Sequence, residues 1–522
     1  MQLVEVIPIS RAISKESLSY FTSKKISPGS IISVPLRGKK VKALVLGSKK
    51  VSSSKSELRS NEYSIKKALE SKPKKIFLEE FIEAATELAD FSASSTGAVL
   101  HSLIPKIILE EGEELIKNQL LRNNGDIHQK YIIQAGSEDR FADYKSIIRG
   151  QIAKKKSVIL LAPTSKLAEI AYKKVQKGIG DYCHLIHSSL KKSELRNNLE
   201  NVLASKKPVV IVTTAKFLAV PRSDVGAIIL EKENSSFYKF KTRPYVDVRI
   251  FSEYFAKKIG AKLYFADLYL RTETLWRFEE GEFIESKPIS QRATSSAKQT
   301  IVDMKAKSDT RKQTSKGFKI VSPELERIIK KAIAEKKKLF LFSTRKGLNP
   351  LTVCGDCGET VQCDRCSSPL VLHSKSRNFF LCHKCGRTRD AETRCKKCLS
   401  WKLVPLGVGI ELIEKKLKEH FRGLKVFRID GDSTPTPVKA QKVFDNFSSE
   451  SGGILLGTEM AINYLEEVDY SGVVSIDSFF SIPDFRINEK IINLILSIKE
   501  KTKEEFILQT RNIDQEVLGF IK

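Results

Sequence analysis

Eight of the nine cysteines form four Cys-x-x-Cys pairs: Cys354/Cys357, Cys363/Cys366, Cys382/Cys385 and Cys395/Cys398. Two residues between sulfurs let a tight turn aim both thiolates at one tetrahedral ion, at about 2.3 Å each. Eight ligands make two four-cysteine sites. Disulfides are the alternative, but adjacent pairs of this spacing in a cytosolic chain favour metal, with zinc the expected ion. All-cysteine sites leave no open coordination position, so they are structural rather than catalytic, and replace a hydrophobic core in a segment too short to build one. His373 and His383 lie among the cysteines. With the thiolate count complete, they read as solvent-facing or supporting side chains rather than spare ligands. Cys183 stands alone and reads as a small buried apolar residue.

The second chemical signal is charge. Lys plus Arg number 90 and Asp plus Glu 62, a formal net charge of +28. Such an excess attracts polyanions, with nucleic acid ahead of an anionic membrane surface, because no basic amphipathic helix with aromatic anchors is visible. Lys154-Lys155-Lys156, Lys336-Lys337-Lys338, Arg387, Arg389, Arg394, Lys396 and Lys397 are candidate phosphate contacts, with solvated helix ends as the plainer reading of the lysine runs. Phe379-Phe380 could stack on an unpaired base, but strand packing inside the cysteine-rich fold is the favoured reading. No apolar run is long enough to span a membrane and no signal peptide is visible, so the expected location is the cytosol.

The elements that must position these residues follow from hydrophobic patterning. At 522 residues and 41% hydrophobic, the chain is long enough for several domains with real cores. Short β-rich runs (Leu3–Pro8, Ser30–Pro35, Lys42–Leu46) alternate with Gly and Pro turns, predicting a small β-rich module over 1–75, with a Ser/Lys/Arg-rich loop at 51–60. Helical spacing in IFLEEFIEAATELADF predicts a helical, winged-helix-like connector over 76–125. Apolar runs at Ser157–Pro163, Pro208–Thr214, Gly226–Glu231 and Lys262–Asp267 read as buried parallel strands of one α/β domain, 126–285. A polar linker is expected at 286–317. A second α/β domain, 318–350 and 399–522, opens with a Ser322-Pro323 helix start and the strand LFLFST, and resumes at Val426–Asp430, Gly453–Thr458, Val473–Asp477 and Phe506–Thr510. The cysteine block, 351–400, interrupts it as an insertion.

Two tandem α/β domains with an eight-cysteine insertion in the second resemble the primosomal protein N′ family, the PriA-type replication-restart helicases. Around the cysteines, Arg345-Lys346-Gly347 with Pro350-Leu351 is similar to the family's Arg-Arg-Gly-Tyr-x-Pro, and Gly407-Val408-Gly409-Ile410-Glu411 to its Gly-x-Gly-Thr-Glu. Arg428-Ile429-Asp430 with Asp432, Gly457-Thr458-Glu459-Met460, Ser475-Ile476-Asp477, Asp484-Phe485-Arg486 and Glu489 match in order and spacing. In the first domain, His187-Ser188-Ser189-Leu190 looks like the family's His-Ser-Gly-Leu, and Ser236-Phe237-Tyr238-Lys239 with Arg243, Tyr245 and Arg249 like its aromatic-rich loop. The resemblance implies two RecA-like domains, an N-terminal DNA-binding domain and a fork-binding restart protein. It implies DNA, other primosome proteins, single-strand-binding protein and the replicative helicase as partners. It implies one zinc on Cys354, Cys357, Cys395 and Cys398 and the other on Cys363, Cys366, Cys382 and Cys385.

The match fails at the catalytic motifs. A phosphate loop needs glycines, a lysine for the β/γ-phosphates and a hydroxyl for Mg²⁺. The corresponding stretch runs Gln134 to Phe141, with Arg140 in the lysine's place, Phe141 in the hydroxyl's, and Glu138 and Asp139 where phosphates would lie. The family's Asp-Glu-Glu-His reads Glu231-Lys232-Glu233-Asn234, and Lys232 cannot serve as a carboxylate base. Gly-Ser-Ala-Thr-Pro becomes Ala266-Asp267-Leu268-Tyr269-Leu270, and the arginine-rich motif expected after Glu489 is absent. ATP hydrolysis is therefore expected to be lost and ATP/Mg²⁺ binding is doubtful, leaving a DNA-binding restart protein without helicase activity. An active ATP-dependent 3′–5′ helicase and a zinc-ribbon interaction protein outside replication are the alternatives. In the N-terminal module the family's Phe-Asp-Tyr reads Leu18-Ser19-Tyr20, which puts its DNA 3′-end pocket in question, and the family's C-terminal domain is expected to be missing.

Overall fold

The computed structural model describes residues 1–11, 16–50, 65–116, 127–287, 295–304, 320–344, 351–374, 378–406, 409–421 and 424–521. The expected loop at 51–60 and the family-like residues Arg345-Lys346-Gly347, Pro350, Gly407 and Val408 lie outside them. The chain forms two units, Met1–Ser290 and Gln291–Lys522.

The first unit begins with an antiparallel sheet of β1 (Gln2–Pro8), β2 (Leu18–Thr22), β3 (Ser30–Leu36), β4 (Lys39–Lys50) and β5 (Leu69–Lys75), in the order β2-β1-β4-β3-β5. Arg37 and Gly38 join β3 to β4, both in left-handed backbone (φ 46° and 77°), the geometry of a two-residue hairpin loop. Side chains alternate across the pleat. Val4, Val6, Ile32, Val34 and Val45 fill one buried cluster, whereas Ile7, Ile31 and Leu44 face another with the helices Glu79–Phe91, Thr96–Leu103 and Lys106–Leu115. The described part of 76–125 carries these helices and no strand of its own, so no wing is present among the described residues.

The rest of the first unit is a seven-stranded sheet of β6 (Lys130–Gln134), β7 (Ser157–Leu161), β8 (Cys183–Ile186), β9 (Val210–Thr213), β10 (Val225–Glu231), β11 (Lys262–Asp267) and β12 (Ile284–Glu285). Its order is β12-β6-β11-β10-β7-β9-β8 and every pair is parallel. Helices cover both faces, which is why its strands read as unbroken apolar runs. Ile159, Leu161, Ile228 and Leu230 pack on one side, and Val158, Leu160, Ala227 and Ile229 on the other.

The second unit carries β13 (Lys298–Asp303), β14 (Lys338–Ser343), the insertion strands β15 (Leu351–Cys354), β16 (Val371–Ser374), β17 (Asn378–Leu381), β18 (Thr388–Asp390) and β19 (Leu403–Leu406), then β20 (Val426–Ile429), β21 (Gly453–Gly457), β22 (Val468–Ser475) and β23 (Thr502–Thr510). Its parallel sheet runs β13-β23-β22-β14-β21-β20 and its antiparallel insertion sheet β18-β17-β16-β15-β19. The helix Pro323–Glu335 starts as the sequence requires, with Ser322 Oγ accepting from Leu325 N at 3.1 Å. One expectation is corrected. The polar stretch 286–317 is not linker throughout, because Lys298–Asp303 pairs with β23 from Glu505 to Thr510. The β-branched Thr300-Ile301-Val302 supplies the strand preference, and an edge position tolerates its polar flanks. The fold is thus α/β with two RecA-like parallel-sheet domains, an antiparallel N-terminal sheet and a cysteine-rich insertion in the second parallel sheet. No helix among the described residues is long and apolar enough to cross a membrane.

Candidate functional site

The insertion is built on four copies of one turn. Cys354, Cys363, Cys382 and Cys395 each accept at the carbonyl from the N–H four residues on, at 2.9, 3.0, 2.9 and 2.9 Å. Each also donates its own N–H to the carbonyl five residues on, at 2.8 Å. The fourth residue after each leading cysteine is left-handed: Gly358 (φ 73°), Ser367 (φ 54°), Gly386 (φ 74°) and Leu399 (φ 58°). These turns converge the thiols in the grouping the resemblance implies. Cys354, Cys357, Cys395 and Cys398 form one cluster, and Cys363, Cys366, Cys382 and Cys385 the other, each with all sulfurs within 4.8 Å of one another. Sulfur separations of 3.5 Å for Cys354–Cys398 and Cys357–Cys395, 3.6 Å for Cys363–Cys385 and 3.4 Å for Cys366–Cys382 lie near the ~3.8 Å edge of a tetrahedron with 2.3 Å bonds. Both clusters could hold a metal ion. His373 and His383 join neither. Their Nε2 atoms lie 2.8 Å apart, and the His373 ring stacks on Phe379.

Side chains from three neighbouring strands of the first parallel sheet meet at its carboxyl edge, where open α/β sheets bind ligands. β6 leads through Ala135 and Gly136 into the helix Ser137–Ala153, whose first turn carries Glu138 and Asp139, both exposed. These carboxylates face the positive end of the helix dipole that a phosphate would otherwise use. Arg140 turns inward. Its Nε and one terminal nitrogen donate to the two Glu231 carboxylate oxygens, at 3.2 and 2.8 Å, and the other terminal nitrogen donates to Ala135 O at 2.7 Å. Tyr144, one helical turn on, donates its hydroxyl to Glu231 as well. Arg140, Tyr144 and Glu231 are all buried. Burial alone would push the Glu231 carboxyl up, but the Arg140 charge and the bonds from Arg140 and Tyr144 hold it below the ordinary carboxylate range.

The remaining groups are committed elsewhere. Lys232 adopts left-handed backbone (φ 55°) at the rim. Glu233 is fully buried and accepts from Arg271 N at 3.0 Å and Thr274 Oγ1 at 2.9 Å, and burial raises its pKa. Asp267 closes β11 and accepts from Asn234 N at 2.9 Å and Leu268 N at 2.7 Å, and burial pushes its carboxyl up to about 6. From the aromatic-rich loop, Tyr238 is core, donating to Leu161 O and Glu231 O, while Phe237 is exposed. His187 is buried beneath the sheet edge.

The basic candidates separate into two kinds. Lys337 pairs with Glu335 and Glu504, and Lys338 donates to Ser448 O, so this run is tied into the second unit. Lys154 and Lys155 are exposed beyond a helix end. In the insertion, Lys396 pairs with Asp364 and Lys397 with Glu359; the Lys396 bond, with Arg389 and Arg387 nearby, holds the Asp364 carboxyl low, while Arg394 makes no carboxylate ion pair among the described residues. Phe380 is buried in β17 and Phe379 lies against His373, so this pair packs rather than stands free. Cys183 is buried in β8 and its thiol is pushed up to about 12 by burial. Sequence reasoning gave no role to Tyr144, although its position four residues after Arg140 places both on one helix face.

Sheet order, insertion and thiol clusters together define an α/β chain with two parallel-sheet domains and a cysteine-rich module inserted in the second. No family model matches it. It is similar along most of its length to replication restart protein PriA: 24% identical over 502 residues to that of Helicobacter pylori, covering 94% of this chain and 76% of that protein. The matches to PriA of Haemophilus influenzae (27% over 373 residues) and Bacillus subtilis (25% over 368 residues) cover 70% and 68% of this chain but 50% and 44% of those proteins. Solved helicases align loosely. Mss116p bound to ssRNA and AMP-PNP gives a TM-score of 0.43 at 13% identity, covering 84% of this chain and 76% of that one. The fold assignment rests on the strand order itself.

Proposed function

We propose that this chain is a DNA-binding replication-restart protein that recognises forked or branched DNA, helps reload the replicative helicase and does not hydrolyse ATP. The observation that carries the last point is the buried Arg140–Glu231 pair. The positive group a phosphate would need and the negative group a Mg²⁺ would need neutralise each other in the crevice. Similarity to PriA over most of the chain supports the restart role, and its primosome partners come with that reading. The +28 net charge supports binding to the phosphate backbone, by shape and charge rather than sequence.

Zinc is the proposed occupant of both thiolate clusters, because soft four-sulfur tetrahedral sets select it and iron–sulfur clusters are the main competitor. When bound, it supplies structure and no chemistry, since neither cluster keeps an open position. The decisive experiment is ATP hydrolysis by metal-loaded protein at low salt, with and without a forked DNA, with fork binding followed by anisotropy in the same sample. The expected result is binding without turnover. DNA-stimulated turnover would overturn the reading in favour of a working helicase. Absence of both would leave a zinc-module protein outside replication.

A further inference from the structure

The fourth cysteine turn differs from the other three. The left-handed position that follows the leading cysteine is filled by Gly358, Ser367 and Gly386 in the first three turns, small residues that meet its backbone demand. In the fourth it is Leu399, a bulky residue in a conformation that favours glycine, with 65% of its surface exposed. Two residues on, Trp401 is 63% exposed. The Arg394 guanidinium lies 4.3 Å from the centre of the Trp401 ring. Metal binding needs neither Leu399 nor Trp401, and neither contributes to a core.

The surroundings are charged in a particular way. Lys396, Lys397 and Lys402 each sit beside a carboxylate, Asp364, Glu359 and Asp356. Arg394 is exposed and makes no carboxylate ion pair among the described residues, and Arg387, also exposed, lies near Asp364, whose carboxylate is already bonded to Lys396. Arg394 also lines a cleft of about 700 Å³ with Arg389, Lys396 and Lys397, whose acidic lining is Asp514 and the two lysine partners Asp364 and Glu359. The local excess is therefore guanidinium, the group that stacks on planar rings and grips phosphate bidentately. A ring face and a leucine standing out from a turn offer a planar partner a surface and offer an amphipathic helix no groove.

We propose that the Leu399–Trp401 turn is a stacking platform for an unpaired DNA base, with Arg394 and Arg387 holding the adjoining phosphates. The inference rests on the DNA-binding reading above and adds to it where single-stranded DNA is felt. It assigns to Trp401 the role that sequence had considered for Phe379-Phe380. Base–aromatic stacking of this kind is tolerant of sequence.

The chain has two tryptophans, so Trp276→Phe in the full-length, metal-loaded protein leaves Trp401 as the sole reporter. This protein is titrated with a dye-labelled fork bearing unpaired arms and with a blunt duplex of equal length. Anisotropy reads binding and tryptophan emission reads stacking. The fork should quench Trp401 and the duplex should bind without quenching. Trp401→Ala should weaken fork binding about tenfold and leave duplex binding unchanged, whereas Trp401→Phe should retain most of the affinity. Unchanged metal content in both variants establishes that the module is intact. Fork binding that is indifferent to Trp401→Ala, or equal losses for fork and duplex, would overturn the platform and leave the turn to a protein partner. Failure of the parent to bind either DNA would instead overturn the DNA-binding reading itself.

Discussion

Arg140 and Glu231, 91 residues apart in the chain, close on each other as a two-bond ion pair inside the carboxyl edge of the first parallel sheet. The pair is buried, and Tyr144 adds a third donor to the same carboxylate. Removing two charges from water is costly unless geometry and hydrogen bonds compensate, and here they do. The pair is consequently asymmetric under mutation: losing one partner leaves an uncompensated buried charge, while losing both leaves an apolar gap.

Arg140→Met is therefore expected to destabilise the first unit by about 3–5 kcal/mol. The triple change Arg140→Met, Tyr144→Phe, Glu231→Leu should recover most of that loss. Urea unfolding followed by Trp276 emission, in a Trp401→Phe background, reads the difference. A single variant as stable as the parent would show that the pair is not closed in solution.

Asp267 sets a pH signature. Its folded pKa is raised to about 6 by burial, above the 3.8 of an ordinary aspartate. Between those values the folded state binds more protons than the unfolded one, so this group's contribution falls as pH rises from about 4 to about 6 and is level beyond. Asp267→Asn has no such slope. The stability of the variant relative to the parent should thus climb with pH over that window, as measured by urea midpoints. A constant difference would place the Asp267 titration elsewhere.

Metal removal should act locally. Among its described residues the insertion has one small buried cluster, centred on Val361, Leu370 and Phe380 and including cysteines, and its turns are organised by the thiolates. Chelation is expected to release two ions per chain and to unfold the backbone around the already exposed Arg387 and Arg394, so that trypsin cleaves there while the two parallel sheets persist. Limited proteolysis with metal quantitation decides it. An unchanged digest after complete metal loss would mean the module folds on its own.

Gly97 joins the N-terminal sheet to the helices behind it. A Cβ there would lie 2.1 Å from Pro8 O, a backbone atom with nowhere to move. Gly97→Ala should cost about 1–3 kcal/mol despite the better helix propensity of alanine. Thermal unfolding that shows stabilisation would contradict the contact.

The cysteine module was legible because its information is local: spacing alone sets the turns, and the pairing of turns followed from the resemblance. Strands buried on both faces, such as Ser157–Leu161 and Val225–Glu231, were legible as apolar runs. Lys130–Gln134 and Cys183–Ile186, with partly exposed or polar positions, were not singled out, and Lys298–Asp303 was hidden in a polar stretch. In the crevice, Arg140 and Glu231 were visible as separate departures from a motif. Their complementarity was not, because nothing within either segment reports a contact 91 residues away. The exposed Trp401 escaped notice because exposure is a tertiary property.

β15 and β19 pair as Leu351↔Leu406 through Cys354↔Leu403, so the insertion enters and leaves the second unit on adjacent strands. Two neighbouring strands thus serve as its stem, and Gln362 Nε2, donating to Asn512 Oδ1 at 3.4 Å, is a second tether to the host. Changes of length in the outer turns, away from the stem and this tether, are therefore expected to leave the spacing of the parallel strands undisturbed.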